Sequence, residues 1–400
     1  MDYYLLTDMA AQIGYELAAA GAETFRIEET MRRVLAAYGI ECEAFAIPNC
    51  VMVSLEADNG KPLMVMKRVG FHGNDLDAVE RLNALSRRIC AETPDPAVAA
   101  QWLEETRNDR RSYSVPVYYL GNLLAASGFC PVFGGTLRDS LWAGLMGLII
   151  GFVTRRMDKL ETTIAAAFAM AVPAYLAAAF GLVDYADAVI IGSLMILVPG
   201  LLITNSMRDI IYGDTNSGVN RIVQVLLSAL AIAMGTAAAW HITSSLYGQT
   251  AASTLSYPFW LQAIAIAVAC TGFVILFNVH GWGRCLCALG GVVTWMAYLL
   301  CGEFGLGPYG ANFIAAAVAA VYAEGMARAR KYPVTSYQVI SAVPLLPGAG
   351  IYYTMSLGLN GSTQLALQRG FATAGIAGSI AAAILLVSSV VRLFTAQRKK

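Results

Sequence analysis

Charged side chains make up only 14% of the 400 residues, against roughly 25% in ordinary soluble domains. The shortage is local: of 54 charged residues, 30 lie in residues 1–111 and the other 289 positions hold 24. Histidine is rarer still, with three in the chain and no H-E-x-x-H, so metal chemistry has nothing to hold on to. The eight cysteines form no C-x-x-C pair, and their spacings fit neither a zinc site nor a disulfide framework. There is no G-x-x-x-x-G-K-[ST], which disfavours ATP-driven work. A net charge of zero excludes the concentrated basic footprint of a nucleic-acid binder. The opening MDYYLLTDMAAQIGYEL carries Asp2, Asp8 and Glu16 instead of a basic n-region and an apolar core. It does not read as a signal peptide, and residues 1–111 are expected on the cytoplasmic side.

What is present is apolar: 57% of the residues are hydrophobic and the mean hydropathy is +0.58. The chain therefore reads as a small α+β domain, 1–111, followed by an α-helical polytopic membrane region. Within the first part, residues 3–20 and 23–38 have helical spacing, with Ile27, Met31, Val34, Leu35 and Tyr38 on one stripe. The period then changes to two: Phe45 and Ile47, then Val51, Val53 and Leu55, with Asp58-Asn59-Gly60 as a hairpin turn into Leu63 to Val69. Helical spacing returns at 75–88 and 96–107. The segment from Gly21 to Glu29 is dense in charge, and Glu28–Arg32 and Glu29–Arg33 are spaced for ion pairs along an exposed helix. His72 is a loop histidine with no nucleophile paired to it.

Ten membrane spans of the length a bilayer requires can be drawn: 115–133, 139–155, 161–182, 187–212, 217–240, 258–278, 284–301, 308–328, 335–358 and 365–393. Among the 15 Lys and Arg after residue 111, only Arg138 and Arg369 fall on the outer side when the chain starts inside. This pattern places both termini in the cytoplasm, in the inner (plasma) membrane.

The spans repeat. Leu197-Val198-Pro199-Gly200 in the fourth corresponds to Leu345-Leu346-Pro347-Gly348 in the ninth, 148 residues on, and at that offset Ser206 meets Thr354 and Arg221 meets Arg369. Earlier, Gly128-Phe129 and Phe133 match Gly272-Phe273 and Phe277 at an offset of 144. A displacement of five spans, an odd number, sets the copies in opposite orientations. The expected architecture is two inverted five-helix halves, 112–245 and 253–400, the plan of secondary transporters. Pro-Gly frees backbone groups that lipid cannot satisfy, so breaks belong against protein or a wet cavity. Candidate substrate-binding residues are Pro199, Gly200, Thr204, Asn205 and Ser206 at one break, and Pro347, Gly348, Tyr352, Tyr353 and Thr354 at the other. Arg221 and Arg369 are candidate carboxylate contacts near opposite faces, since guanidinium matches a carboxylate. For Arg221 a structural pair with Asp209 is the alternative, and for Arg369 snorkelling to the interface. Asp209 and Glu324 are the intramembrane carboxylates to test for coupling. Gly147-x-x-x-Gly151 and Ala374-x-x-x-Gly378-x-x-x-Ala382 read as close helix packing.

The segment Ala20-Gly21-Ala22-Glu23-Thr24-Phe25-Arg26-Ile27-Glu28-Glu29-Thr30-Met31, then Tyr38-Gly39 and the two Pro-Gly spans, resembles the threonine/serine exporter family of bacteria and fungi. The resemblance covers nearly the whole chain. It implies a fused protein that exports threonine and serine on the proton gradient, with no enzyme activity and no cofactor. It also implies that Gly21, Glu23, Arg26 and Glu28 matter beyond surface charge. Two-component members linked to succinate export share the motifs, so a C4-dicarboxylate substrate is the alternative. A membrane-tethered hydrolase is a further alternative, and self-association stays open. The expected partners are a small-molecule substrate and the lipid bilayer.

Overall fold

The structure, a computed structural model, describes residues 2–57, 60–70, 73–156, 160–211, 213–243, 255–330, 332, 334–359 and 361–397. Asp58 and Asn59 of the expected hairpin turn, and His72, lie outside the described residues. The chain divides into two units.

The first unit contains Met1–Ser112 together with Asp214–Asn220 and Phe277–His280. Its helices α1 (Tyr3–Ala19) and α2 (Thr24–Ala37) precede an antiparallel meander of β1 (Cys42–Ile47), β2 (Cys50–Glu56) and β3 (Pro62–Arg68), and then come α3 (Leu76–Glu92) and α4 (Pro96–Asn108). Short acidic caps start the helices: Asp2, Asp75 and Asp95 each accept a backbone N–H of the first turn. The alternation along β2 puts Val51, Val53 and Leu55 on the covered face with Ala44 and Ala46 of β1. They share one core with Leu6, Ile13 and Leu17 of α1 and with Ile27, Met31, Val34 and Leu35 of α2. The second of these later segments joins the unit through hydrogen bonds. Leu76 N–H donates to the Phe277 carbonyl at 3.0 Å. Asn278 Nδ2 donates to Asp75 Oδ1 at 2.9 Å and to the Arg111 carbonyl at 2.7 Å.

The second unit is helical: α5 (Val115–Val132), α6 (Leu137–Arg156), α7 (Leu160–Ala179), α8 (Ala186–Leu194), α9 (Gly200–Ile211) and α10 (Thr215–Thr243). They are followed by α11 (Phe259–Leu276), α12 (Gly283–Glu303), α13 (Pro308–Arg330), α14 (Val334–Ala342), a 3-10 turn at Val343–Leu345, α15 (Gly348–Leu359) and α16 (Thr363–Gln397). Among the described residues eight helices are long and apolar enough to cross a membrane, and α14 with α15, bent by 50°, makes a ninth if counted as one span. Helices α8 and α9, of nine and twelve residues, are each too short to span alone. The expected fourth span is thus interrupted at residues 195–199.

Glycines set how closely these helices approach. A Cβ at Gly128 of α5 would land on the backbone nitrogen of Ala269 in α11 and 2.7 Å from the Ala265 carbonyl oxygen. A Cβ at Gly272 of α11 would land on the backbone nitrogen of Ala125 and 2.6 Å from the Gly121 carbonyl oxygen. Each partner pair is shifted by the same 144 residues, and Phe129 meets Phe273, its own counterpart at that offset, edge-on at 5.8 Å. Gly147 and Gly151 of α6 likewise press on Asn122. Gly378 does not behave as the small-residue pattern suggested. A Cβ there meets nothing within 4 Å among the described residues, because the spacing marks one helix face but cannot say which face a neighbour occupies.

Gly128→Val and Gly272→Val should each destabilise the protein by about 1–3 kcal/mol, since the clash is with backbone that cannot step aside. Gly378→Ala should be neutral or slightly stabilising, as helix propensity favours alanine. Thermal unfolding of the purified protein in detergent compares the three.

Candidate functional site

The interruption between α8 and α9 has a local cause. Pro199 has no N–H, and the residue before a proline is pushed out of the helical region. The chain leaves α8 through a tight turn, in which Leu197 N–H donates to the Leu194 carbonyl at 2.8 Å. The second interruption follows the same rule: Leu346, before Pro347, is extended at φ −60° and ψ 127°. Gly348 then opens α15.

The two interruptions touch. A Cβ on Gly348 would come within 2.8 Å of Val198 Cγ1 and 3.2 Å of Met195 Sδ. Tyr352, half-buried, packs with Leu197 and Val198 on one cluster. Ile351 joins Val225 and Ala229 of α10 and Ala377 of α16 in another, edged by Val198, Leu202, Met207 and Met355. Pro199, Gly200, Pro347 and Gly348, separated by some 148 residues of chain, therefore belong to one junction.

The polar candidates around it differ in what they do. Ser206 is buried and Asn205 half-buried, and the side chain of Thr204 lies outside the described residues. Thr354 is half-buried, and its hydroxyl donates to the Gly350 carbonyl at 2.7 Å, one turn back in its own helix. Arg221 and Asp209 are both buried, with Arg221 Nε 3.0 Å from Asp209 Oδ2. Arg369 is exposed. It and Asp187, in the first turn of α8, both act electrostatically on the Tyr353 phenol, whose ring lies 5.5 Å from that of Tyr352. Glu324 pairs with Arg328 one turn on, at 3.2 Å. The sequence reading passed over Asp187 because it searched only the residues after each Pro-Gly. The signal was there: an acid at the start of an apolar half-helix.

Arg138, the other basic residue against the inside-positive pattern, bonds the Gly181 carbonyl at 2.9 Å and lies 3.6 Å from Asp184. Buried Asp139 ties the same loop, accepting from the backbone N–H of Asp184 at 2.7 Å and of Thr136 at 2.9 Å. These contacts fix the entry to α8.

In the first unit, Gly21 has φ +87°, and a Cβ there would collide with the Gly73 carbonyl oxygen. Only glycine suits that bend. Glu23 occupies the N-cap of α2 without a side-chain capping bond. Arg26 is half-buried, with an Nε that has no hydrogen-bond partner among the described residues. Glu28 Oε1 accepts from Ala46 N–H at 3.0 Å and so ties α2 to β1, while Oε2 lies 3.1 Å from Arg32. Glu29–Arg33 closes at 2.7 Å. Burial pushes the Glu28 carboxyl above its ordinary 4.5, and the Ala46 bond and Arg32 oppose the shift. No cluster of three His, Cys, Asp or Glu occurs among the described residues.

A family model described as a threonine/serine exporter matches residues 8–243, and a second with that description matches 262–390. The chain belongs to the threonine/serine exporter family. A threonine/serine exporter of Corynebacterium glutamicum is 25% identical over 402 residues, which cover 96% of this chain and 82% of that protein. No solved structure matches the chain. Both the Gly21–Glu29 segment and the first Pro-Gly break fall inside the first exporter match, and the second break falls inside the other.

Arg221→Ala alone should destabilise this exporter-family chain by about 3–5 kcal/mol, because it removes the guanidinium that faces the buried Asp209 carboxylate. Arg221→Gln combined with Asp209→Asn should recover most of that loss. A double-mutant cycle on thermal unfolding measures the coupling. Glu28 gives a pH test. Its folded pKa is raised, so its contribution to stability is complete below 4.5 and is lost as pH rises through the folded value. Thermal unfolding of the purified protein in detergent, followed across that window, should show stability falling in the wild type and staying flat in Glu28→Gln.

Proposed function

We infer that the chain is a secondary exporter of small zwitterionic amino acids, threonine and serine first among them, built as two inverted five-helix halves. The carrying observation is the junction itself: two broken half-helix pairs, at matching places in the chain, packed on one another at Val198 and Gly348. Breaks at equivalent places in two repeats are where transporters of this plan hold their substrate. The reciprocal glycine contacts between α5 and α11, at one constant offset, support a pseudo-two-fold relation. A contact of i with j and of j with i is what two-fold symmetry generates. On this reading α8–α9 counts as a tenth span and both termini lie in the cytoplasm of a plasma membrane. Residues 1–112 then form a cytoplasmic domain.

Two opposite charges around Tyr353, Asp187 and Arg369, favour a zwitterion over a dicarboxylate. The guanidinium suits the substrate carboxylate and Asp187 its ammonium. Proton drive enters through Asp209. Its protonation would release the Arg221 guanidinium on α10, next to Val225 of the junction cluster.

Counterflow in proteoliposomes tests this reading. Labelled serine should exchange and labelled succinate should not. Arg369→Ala and Asp187→Asn should each weaken serine capture several-fold, about the worth of a solvent-exposed charge contact. Arg369→Lys should rescue only part of the loss, and Asn205→Leu should abolish exchange without loss of insertion. Exchange of succinate alone would replace the amino-acid reading with the dicarboxylate one.

A further inference from the structure

A cavity of about 370 Å3 lies away from the junction, where α11 begins, α12 ends and α13 begins. Tyr257 stands before α11, Phe259 and Gln262 are in its first turns, Tyr298 and Glu303 are in the last turns of α12, and Pro308 starts α13. Its walls are set by bonds that leave little to rearrange. Gln262 Nε2 donates to the Tyr257 carbonyl at 2.9 Å, and Gln262 Oε1 accepts from Trp295 Nε1 at 3.0 Å. The Tyr257 hydroxyl donates to the Gly135 carbonyl at 2.9 Å. Trp295 stacks on Tyr298 at 5.0 Å, which fixes the Tyr298 ring. A volume of this size is within the range of small-molecule sites.

The electrostatics of the cavity are one-sided. Glu303 is its only carboxylate, and no Lys or Arg is among its described lining residues. Glu303 is also the last residue of α12, whose final turn holds no basic side chain. A carboxylate there adds to the negative end of the helix dipole, an arrangement that is unfavourable until a cation arrives. Among the described residues Glu303 has no ion-pair partner, and it is exposed toward the cavity mouth. Tyrosine rings beside such a carboxylate add the attraction of a π-face for a cation. One carboxylate is too few to hold a divalent metal, whereas an organic ammonium needs only a carboxylate and a ring.

We propose that this cavity is a second ligand site, selective for a small organic ammonium, with Glu303 as its counter-charge and Tyr298 as its aromatic wall. It is distinct from the junction of the two breaks and does not rest on the transport reading. For an amino acid, the ammonium would pair with Glu303 while the carboxylate turns to solvent. An anion without an ammonium would be turned away.

Isothermal titration of the full-length protein in lipid nanodiscs, with ethanolamine hydrochloride as the probe, tests the site. Saturable binding is expected in the wild type, and sodium acetate should give none. Glu303→Gln keeps the shape and removes the charge, and it should weaken ethanolamine at least about tenfold, the scale of a charge-assisted hydrogen bond. Tyr298→Ala should weaken it several-fold and Tyr298→Phe little, because the ring rather than the hydroxyl is the wall. Should one variant fail to remain monodisperse, the other still reports. No saturable binding in the wild type, or unchanged affinity in both Glu303→Gln and Tyr298→Ala, overturns the proposal. Serine counterflow that persists in that case leaves the transport reading standing while this one falls.

Discussion

Everything in the helical unit depends on a backbone constraint: a helix broken within an apolar layer frees amide and carbonyl groups that must not meet hydrocarbon. Residues 195–199 and 346–347 are such places, and each is covered by the other's neighbourhood, with Gly348 against Val198 and Met195. Close approach is what makes mutual cover feasible. The α5–α11 crossing at Gly128 and Gly272 brings two helices together without side chains between them, and the edge-on Phe129–Phe273 contact fills the space beside it.

Much of this arrangement was legible in the chain. The helix positions follow from apolar length, the interruptions from proline, and the meander of the first unit from a period that switches to two at Phe45. The Glu28–Arg32 and Glu29–Arg33 pairs were set by spacing alone. Local rules of this kind need only neighbours in sequence, which is why they could be read.

Long-range partners could not be. That Arg221 faces Asp209 depends on where the chain turns between α9 and α10, and the spacing alone offered a substrate carboxylate first and the pair with Asp209 as the alternative. The Ala374–Gly378–Ala382 stripe looked like a packing face, but Gly378 has open space beside it. The influence of Asp187 on Tyr353, shared with Arg369, was not legible because both lie more than 160 residues away in the chain. The membership of Asp214–Asn220 and Phe277–His280 in the first unit had no sequence signal at all.

The bends that follow α5 and α11 differ at one residue. After α5 the backbone turns through a left-handed residue, Gly134 at φ +83°, and after α11 it does so at Asn278, φ +55°. Glycine enters that region at no steric penalty, and asparagine tolerates it. In exchange the second turn gains an amide that holds Asp75 and the Arg111 carbonyl, contacts no glycine could make. The geometry of the bend and the grip on Asp75 are therefore separable properties of one position. A chain carrying glycine at 278 would keep the path of its backbone and lose the anchor, together with the contact between Asn278 and His280.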